Sequence, residues 1–141
     1  MLSRIAKESL HKAHQRVANR RRNFCHHISK WLVGKYDLIA FEKLKIQAMA
    51  QSRFGKSIMD AAWGMLLLQI AYKAEEAGRH AIAVNPKDTT QICSGCGEIV
   101  HKELFERIHS CPRCGLILGR DHNSSINILR LGRSLAGFTS Q

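Results

Sequence analysis

Two Cys-x-x-Cys pairs constrain this chain more than any other feature of its sequence. Cys93 and Cys96 form the first pair, Cys111 and Cys114 form the second, and residues 97–110 separate them. Each pair can present two thiolates from a tight turn, and four thiolates match the tetrahedral preference of Zn²⁺. A redox dithiol or a chance arrangement fits less well, because two pairs in succession favour metal. The spacing predicts a zinc ribbon with a closed, structural Cys₄ site and a hairpin between the pairs.

The fifth cysteine, Cys25, lies outside these pairs. Residues 1–20 are polar and charged where a secretory signal would be apolar. We therefore expect a reducing compartment, in which paired cysteines bind metal rather than form disulfides. The apolar run around Trp63–Ala71 is too short to span a bilayer. The sequence predicts a cytoplasmic protein without a membrane partner, in which Cys25 is a buried thiol on a helix.

The chain carries a formal net charge of +11 over 141 residues. Nucleic acid is the default partner of such a surface, because neutralised phosphates release counterions. An acidic membrane surface is the rival partner, and it requires a basic amphipathic segment beside hydrophobic anchors. The charge is concentrated in residues 1–45, which hold eleven Lys or Arg against three acidic residues.

Residues 2–33 contain neither Gly nor Pro, and their apolar side chains recur at helical spacing. This pattern predicts one long amphipathic helix that ends at Gly34. The apolar stripe consists of Leu10, Ala13, Val17, Phe24, Ile28 and Leu32. The basic side chains that fall away from it are Lys12, Arg16, Arg20 and Lys30. They form either a nucleic-acid contact or a solvated face.

A helix–strand–helix–strand order predicts an α/β fold. Residues 36–41 have the pattern of a short buried strand with Glu42 at its carboxyl end. Residues 43–56 are polar and loop-like. Residues 57–77 are apolar nearly all round, which predicts a buried helix, and residues 80–84 have the pattern of a second strand.

The last helix is predicted at residues 121–131, with Asp121 near its start, Gly132 past its end and a frayed tail at residues 134–141. Glu42 and Asp121 are therefore carboxylates at the ends of regular elements. Two-metal hydrolysis of phosphodiesters needs carboxylates that bridge paired Mg²⁺ ions. Position alone leaves two ordinary alternatives: Glu42 as a solvated strand-end acid, and Asp121 as a helix cap.

Four stretches of the sequence carry a family resemblance. They are YDLIAFEKL at residues 36–44, TQICSGCG at 90–97, ERIHSCPRCG at 106–115 and GRDHNSSINI at 119–128. The first resembles the second motif, and the last the third motif, of the RuvC-type nuclease domain in TnpB-family proteins. The middle two resemble the halves of that family's zinc ribbon. These transposon-encoded RNA-guided nucleases, once called OrfB transposases, are related to the type V CRISPR effectors.

The resemblance implies a partial RNase H-like (RuvC) α/β domain with an inserted Cys₄ zinc ribbon. Residues 1–86 would hold the long basic helix, the strand with Glu42, the buried helix and the next strand. Residues 87–118 would be the ribbon, and residues 119–141 the final motif and tail. The implied partners are a guide-type RNA and DNA, in a prokaryotic, nucleoid-associated location. The helical segment Arg20, Arg21 and Arg22 would face that guide RNA or the heteroduplex. The charge pattern of the same helix adds Lys12 and Arg16 to the predicted nucleic-acid contacts.

The same resemblance implies roles for five side chains. Glu42 and Asp121 would be two of three acids that bind catalytic Mg²⁺. Arg107 matches an arginine between the ribbon's halves and would approach the scissile phosphate. Asn123 and Asn127 match positions that hold the last helix against the sheet.

One family residue has no counterpart in this sequence. The family's first catalytic aspartate lies on a strand before the long helix, and Asp37 and Asp60 occur in the wrong contexts. Two acids hold paired Mg²⁺ poorly, and a half-sheet exposes hydrogen-bonding edges. We therefore expect the C-terminal portion or a subunit of an RNA-guided DNA endonuclease. It would be inactive and poorly stable alone, and completed by a longer nuclease chain that carries the missing aspartate.

Two alternatives remain open. A non-catalytic RNA- or DNA-binding accessory or regulatory protein, derived from the nuclease C-terminus, would keep the basic helix and the ribbon. A DNA-joining transposase would use the same type of site for strand transfer.

Overall fold

A computed structural model describes residues 3–44 and 58–138 of this chain. The elements in chain order are helix α1 (Arg4–Lys35), strand β1 (Leu38–Glu42), helix α2 (Ile58–Glu76), strand β2 (His80–Val84), strand β3 (Ile108–Ser110), strand β4 (Ile117–Gly119) and helix α3 (Arg120–Leu135). The predicted α/β class is confirmed. Most of the loop predicted at residues 43–56 lies outside the described residues.

These elements fall into two compact units, one holding α1 and α2, the other holding the β1–β2 sheet, residues 85–119 and α3. Among the described helices, none combines the length and the hydropathy that a bilayer span requires.

Helix α1 starts after Ser3, whose side-chain oxygen accepts a hydrogen bond from the Ala6 N–H at 3.2 Å. This N-cap satisfies one of the donors that the first turn leaves free. The helix continues through Lys35, and the Tyr36 N–H still donates to the Leu32 carbonyl at 3.0 Å. Gly34 therefore lies inside the last turn, and the prediction that it ends the helix is wrong.

The apolar stripe predicted for α1 is not its buried face. Phe24 is 63% exposed, and Leu10 and Val17 are exposed as well. The buried residues of α1 are Cys25, Ser29 and Val33. Helix α2 packs against that narrower face in the second half of α1, so apolar content alone misidentifies the contact. The Cys25 prediction is confirmed, since its thiol is buried and donates to the Ala62 carbonyl at 3.5 Å.

A polar cluster lies in the α1–α2 interface. The buried Ser29 hydroxyl donates to the Cys25 carbonyl at 2.7 Å and lies 3.2 Å from Gln69 Oε1. The Lys73 ammonium donates to Ser29 Oγ at 2.6 Å and to the His26 carbonyl at 3.0 Å. Burial lowers the pKa of Lys73, and the nearby positive charge of Lys30 lowers it further. Each buried polar group in this cluster therefore has a partner, as a stable interface requires.

The prediction that α2 is buried all round is wrong. Its residues Ile70 and Ala74 are buried, but Leu68 is 70% exposed, and Trp63 is exposed too. One face of the helix packs on α1, and the opposite face lacks cover from the described residues.

Strands β1 and β2 pair in parallel, with Leu38 opposite His80 and Glu42 opposite Val84. Both predicted strands are confirmed, although β1 begins two residues later than expected. Helix α3 packs on both strands, and Gly132 lies close to β1. A Cβ at that position would lie 2.5 Å from Ala40 Cβ.

Gly132 is therefore a packing residue inside α3, and the prediction that it follows the helix is wrong. The helix continues to Leu135, so the frayed tail predicted from residue 134 is also wrong at its start. Residues 139–141 of that predicted tail lie outside the described residues.

Candidate metal centre and carboxylate site

The four paired cysteines converge in the structure. Their sulfur atoms all lie within 4.8 Å of one another. Cys93 Sγ is 3.7 Å from Cys114 Sγ, and Cys96 Sγ is 3.6 Å from Cys111 Sγ. A tetrahedral ion with Zn–S bonds of about 2.3 Å places its sulfurs about 3.8 Å apart. The cluster fits zinc by number, chemistry and spacing of its ligands.

The two cysteine pairs form matching turns. Gly97 donates from its N–H to the Cys93 carbonyl, and Gly115 donates to the Cys111 carbonyl, both at 2.9 Å. These glycines have φ angles of 79° and 75°, in the left-handed region that side chains disfavour. The sequence therefore encodes each turn through the glycine that follows its second cysteine.

The predicted hairpin between the pairs is wrong in its location. An isolated bridge joins Ile92 to Ile99 across the first turn, and β3 pairs with β4 across the second. Each pair of cysteines therefore lies at the tip of its own antiparallel pairing. The physical reason is that each Cys-x-x-Cys turn already reverses the chain, so the strands close around it.

Backbone donors favour the thiolate form of one ligand. The Cys114 backbone N–H is the main cause that lowers the pKa of Cys111 to about 7, against the raising effect of burial. A thiolate is the form that binds metal. The turn geometry therefore favours the metal-binding form of Cys111.

Lys102 is a structural residue that the sequence did not reveal. Its ammonium donates to the carbonyls of Thr90 at 2.7 Å and Val100 at 2.9 Å. Its backbone N–H donates to Gln91 Oε1 at 2.8 Å. Burial lowers the pKa of Lys102, and the negative charge of Glu106 partly offsets that effect. Lys102 thus ties the segment before the first cysteine pair to the segment after it.

His109 lies in β3 with its side chain 0% exposed. Neither ring nitrogen has a hydrogen-bond partner among the described residues. Burial lowers the pKa of His109, and the positive charge of Lys102 lowers it further. The ring is therefore held neutral inside the ribbon, two residues from Cys111.

Glu42 ends β1 in a half-buried position. Thr89 donates from its hydroxyl to Glu42 Oε1 at 2.7 Å. The backbone pairing continues one step beyond the strand, because the Lys43 N–H donates to the Val84 carbonyl at 2.8 Å. Glu42 is thus a positioned carboxylate, unlike the freely solvated acid that was one alternative. No protein donor among the described residues reaches its Oε2.

Asp121 lies in the first turn of α3 with its side chain 87% exposed. The N-cap of that helix is Gly119, and no side chain caps it. The capping alternative for Asp121 is therefore wrong. The carboxylate lies 3.6 Å from Arg120 Nε and otherwise faces solvent.

Two asparagines fasten α3 to the start of the ribbon. Asn123 donates to the Ile92 carbonyl at 2.7 Å and accepts from the Ser94 N–H at 2.8 Å. Asn127 donates to the carbonyls of Thr89 at 3.0 Å and Ile92 at 2.8 Å. Both side chains are buried. The resemblance predicts that these asparagines hold the last helix against the sheet. In the structure they bind the segment 89–94 instead.

These contacts fix the direction of α3. The ring of Phe138 packs on His80 at the start of β2, Gly132 meets Ala40 in β1, and Asn127 bonds Thr89 beyond the strands. Helix α3 therefore runs antiparallel to the strands, and its first turn points past their carboxyl ends. Asp121 precedes Asn127 by six residues, which corresponds to about 9 Å along the helix axis. Glu42 ends β1, and Asp121 lies in the turn of α3 that extends beyond the carboxyl ends of the strands.

Among the side chains described at residues 3–44 and 62–138, the cysteine cluster is the only group of three or more His, Cys, Asp or Glu with converging ligand atoms. Metal binding by Glu42 and Asp121 stays a prediction. Arg107 is exposed on the ribbon, and its carbonyl accepts from the Arg120 N–H at 2.7 Å. Its role at a phosphate also stays a prediction.

The basic side chains predicted to contact nucleic acid project from the first two-thirds of α1. Four are exposed and Arg21 is half-buried; the set is Lys12, Arg16, Arg20, Arg21 and Arg22. They are available to a charged partner, and their role is likewise still a prediction.

The chain is similar to a defined set of proteins. The model of the family described as Cas12f1-like, TNB domain, matches residues 63–128. A TnpB-like protein of Acanthamoeba polyphaga mimivirus is 28% identical over 131 residues, covering 87% of this chain and 25% of that protein. A putative RNA-guided DNA endonuclease of Streptomyces pristinaespiralis is 29% identical over 130 residues, covering 90% of this chain and 32% of that protein.

A solved structure supports the fold. The cryo-EM structure of the Cas12f1–sgRNA–target DNA complex contains a chain that matches with a TM-score of 0.57 at 16% identity. The match covers 89% of this chain and 36% of that chain. This chain therefore spans about a quarter to a third of the length of the relatives it matches.

The elements and the cysteine cluster define an α/β protein with a four-thiol metal centre. The family match and the relatives support a TnpB-family protein, related to the type V CRISPR effectors. The relationship predicted from the four motif stretches is confirmed.

Proposed function

We propose that this chain is the C-terminal portion, or a subunit, of an RNA-guided DNA endonuclease with a RuvC-like site. One observation supports the proposal: Thr89 donates to Glu42 Oε1, and its carbonyl accepts from Asn127 of α3, the helix that carries Asp121 in its first turn. The carboxyl ends of parallel strands are where α/β sheets place their chemistry. Relatives named as RNA-guided DNA endonucleases support the reaction class.

The carboxylates suit magnesium as ligands. Mg²⁺ prefers carboxylate oxygens and retains several waters, and the exposed Asp121 and the half-buried Glu42 each leave room for such waters. Paired Mg²⁺ ions, when bound, activate a water molecule and stabilise the leaving oxygen of the phosphodiester. The hydroxyl of Thr89 holds Glu42 at Oε1, which leaves Oε2 free to face a cation.

In this proposal the zinc ribbon has a structural role and takes no part in phosphodiester cleavage. A Cys₄ zinc ion has no open coordination position, so it stabilises the fold. Asn123 and Asn127 connect the segment that leads into the ribbon to the helix that carries Asp121. Zinc binding thereby fixes the start of α3. Arg107, exposed on the same ribbon, is the proposed contact to the scissile phosphate.

A third carboxylate is required for a complete two-metal site. We assign it to a nuclease region outside this sequence, on the same or a partner polypeptide, and expect the isolated 141-residue chain to lack cleavage activity. In the complete assembly the guide RNA selects the DNA target by base pairing. The basic α1 face would contact that RNA or the heteroduplex.

The second candidate function is a non-catalytic RNA- or DNA-binding regulator. Its supporting observation is that, among the side chains described at residues 3–44 and 62–138, only the four cysteines converge as a metal-ligand group. Under this alternative the basic helix and the ribbon act alone, and the two acids have no catalytic role.

Intact-mass analysis of the complex purified from its native locus separates the two candidates. The nuclease proposal predicts a larger polypeptide or a second subunit, together with bound RNA and cleavage of matched DNA. A complex of the 141-residue species and RNA alone, without cleavage, would establish the binding function instead. Screening the same reaction for joined DNA products tests strand transfer.

A further inference from the structure

An exposed aromatic side chain lies among cations near the end of α1. Trp31 is 53% exposed, and its ring meets that of Tyr36 edge to face, with centroids 6.1 Å apart. The Lys35 ammonium lies 4.9 Å from the Trp31 ring and 5.6 Å from the Tyr36 ring. These cation–π contacts order both rings before any partner arrives.

Trp31 lies opposite the packing face of its helix. Successive residues of an α-helix are rotated by about 100°, so Trp31 is turned by about 200° from the buried Ser29. The α1–α2 interface therefore does not use it. Together with the exposed Tyr36 ring, the indole forms a contiguous aromatic patch, and such patches mark interaction sites.

The surface beside the indole is an open groove. It is lined by His27, Lys30, Trp31, Gly34 and Lys35, which we call the Trp31 groove. A Cβ added at Gly34 would meet no atom within 4 Å, so the floor of the groove is clear. A flat ring can lie against Trp31 there without moving the backbone.

The positive charge around the Trp31 groove indicates which kind of ligand it binds. Helix α1 contains nine Lys or Arg residues and one Glu, and Lys30 and Lys35 flank the indole. An apolar protein surface would desolvate both ammonium groups and provide no opposite charge to offset that cost. A nucleic acid supplies a π-face for the indole and phosphates for the flanking lysines. In a duplex the base faces are already stacked, so the matching form is an unpaired strand.

We propose that Trp31 stacks on a base of single-stranded nucleic acid while Lys30 and Lys35 contact the adjacent phosphates. The inference rests on the proposed nucleic-acid function, but it does not depend on the Glu42–Asp121 site. It names a contact made by aromatic stacking, in addition to the charge contacts of the basic helix.

The chain contains only two tryptophans, which makes a direct optical test possible. In a Trp63→Phe variant, Trp31 is the sole tryptophan. We expect an oligouridylate of about 12 nucleotides, a length suited to single-strand sites, to quench its emission on binding. In the matched Trp31→Phe variant, the remaining Trp63 should keep its emission under the same conditions.

Affinity measurements by fluorescence anisotropy add a second readout. Loss of one stacking contact predicts about five- to 150-fold weaker binding for Trp31→Ala. Trp31→Phe should retain most of the affinity, because phenylalanine still offers a ring face. Lys35→Ala should instead reduce the dependence of log K on log salt by about 0.7. Far-UV circular dichroism checks that each variant keeps its helices.

Two results would overturn the stacking proposal. One is binding of the oligonucleotide with unchanged Trp31 emission and unchanged affinity in Trp31→Ala, which would mean contact through phosphates alone. The other is no binding at low salt by the folded chain. The nuclease proposal fails independently, through retained cleavage when Asp121 is replaced in the complete assembly.

Discussion

The hydroxyl of Thr89 donates a hydrogen bond to Glu42 Oε1 at 2.7 Å, while the carbonyl of the same residue accepts one from Asn127 at 3.0 Å. Thr89 is fully buried, so water does not compete for either bond. One residue therefore links the candidate carboxylate on β1 to the helix that carries Asp121. The position of Glu42 depends on α3 through this link.

Replacing Thr89 tests that dependence. Thr89→Val keeps the shape of the side chain but removes the donor to Glu42. In the complete nuclease we expect cleavage to slow by roughly 10- to 100-fold, because a misplaced ligand weakens the reactive geometry. Thr89→Ser retains the hydroxyl and should retain most of the rate. Equal single-turnover rates for Thr89→Val and the unmodified protein would contradict this role.

Gly132 tests the packing of α3 on the sheet. Gly132→Ala places a Cβ 2.5 Å from Ala40 Cβ, so we expect the free energy of unfolding to fall by about 1–3 kcal/mol. The matched control is Gly34→Ala in α1, where no atom lies within 4 Å. There the same change should stabilise by roughly 0.5–1 kcal/mol. Thermal unfolding of the zinc-loaded chain measures both.

A second change sharpens the Gly132 experiment. Ala40→Gly in the Gly132→Ala background removes the opposing methyl group and should recover much of the lost stability. Equal stability of Gly132→Ala and the unmodified chain would show that the helix can shift away from β1 at little cost.

The four-cysteine cluster predicts a defined zinc stoichiometry and ligand set. We expect one zinc ion per chain. Cys111→Ser should lower the zinc affinity by more than about 100-fold, because loss of a ligand should exceed the effect of changing a residue that only hydrogen-bonds to a ligand. Cys25→Ala should leave the affinity unchanged, since Cys25 lies in α1 against α2. Competition with a chromogenic chelator gives both values. Full zinc affinity in Cys111→Ser would exclude the Cys₄ site.

The buried His109 predicts a pH dependence of ribbon stability. Its pKa is lowered in the fold, so between that value and about 6.5 only the unfolded chain takes up the proton. Stability should therefore fall as the pH drops below about 6.5, by at most about 1.4 kcal/mol per pH unit from this residue. His109→Leu removes this contribution.

Unfolding of His109→Leu and of the unmodified chain is measured at several pH values with saturating zinc. The stability of His109→Leu relative to that of the unmodified chain should rise as the pH falls. A constant difference across pH would mean that His109 titrates alike in both states.

Local chemistry explains what the sequence revealed. The cysteine pairs and their following glycines define each turn by neighbouring residues alone, so the metal centre was predictable. The strands at residues 38–42 and 80–84 were also evident from short apolar runs. The family resemblance added the candidate roles of Glu42 and Asp121, which position in the sequence left ambiguous.

Long-range packing explains what the sequence did not reveal. Gly132 has the pattern of a helix terminator, and only the approach of Ala40 shows why a side chain is excluded. The packing face of α1 contains Ser29 rather than the more apolar Phe24, because Gln69 and Lys73 of α2 supply polar partners. The Thr89–Glu42 bond joins residues far apart in sequence, so no local pattern signals it.

Cleavage by an Asp121→Asn variant tests the central proposal most directly. The measurement uses the complete assembly with guide RNA, matched target DNA and Mg²⁺, at equal DNA occupancy, with Glu103→Gln on the exposed ribbon as the control. The proposal predicts that Asp121→Asn lowers the cleavage rate by about 100-fold or more while binding persists. A cleavage rate equal to that of the control would contradict it.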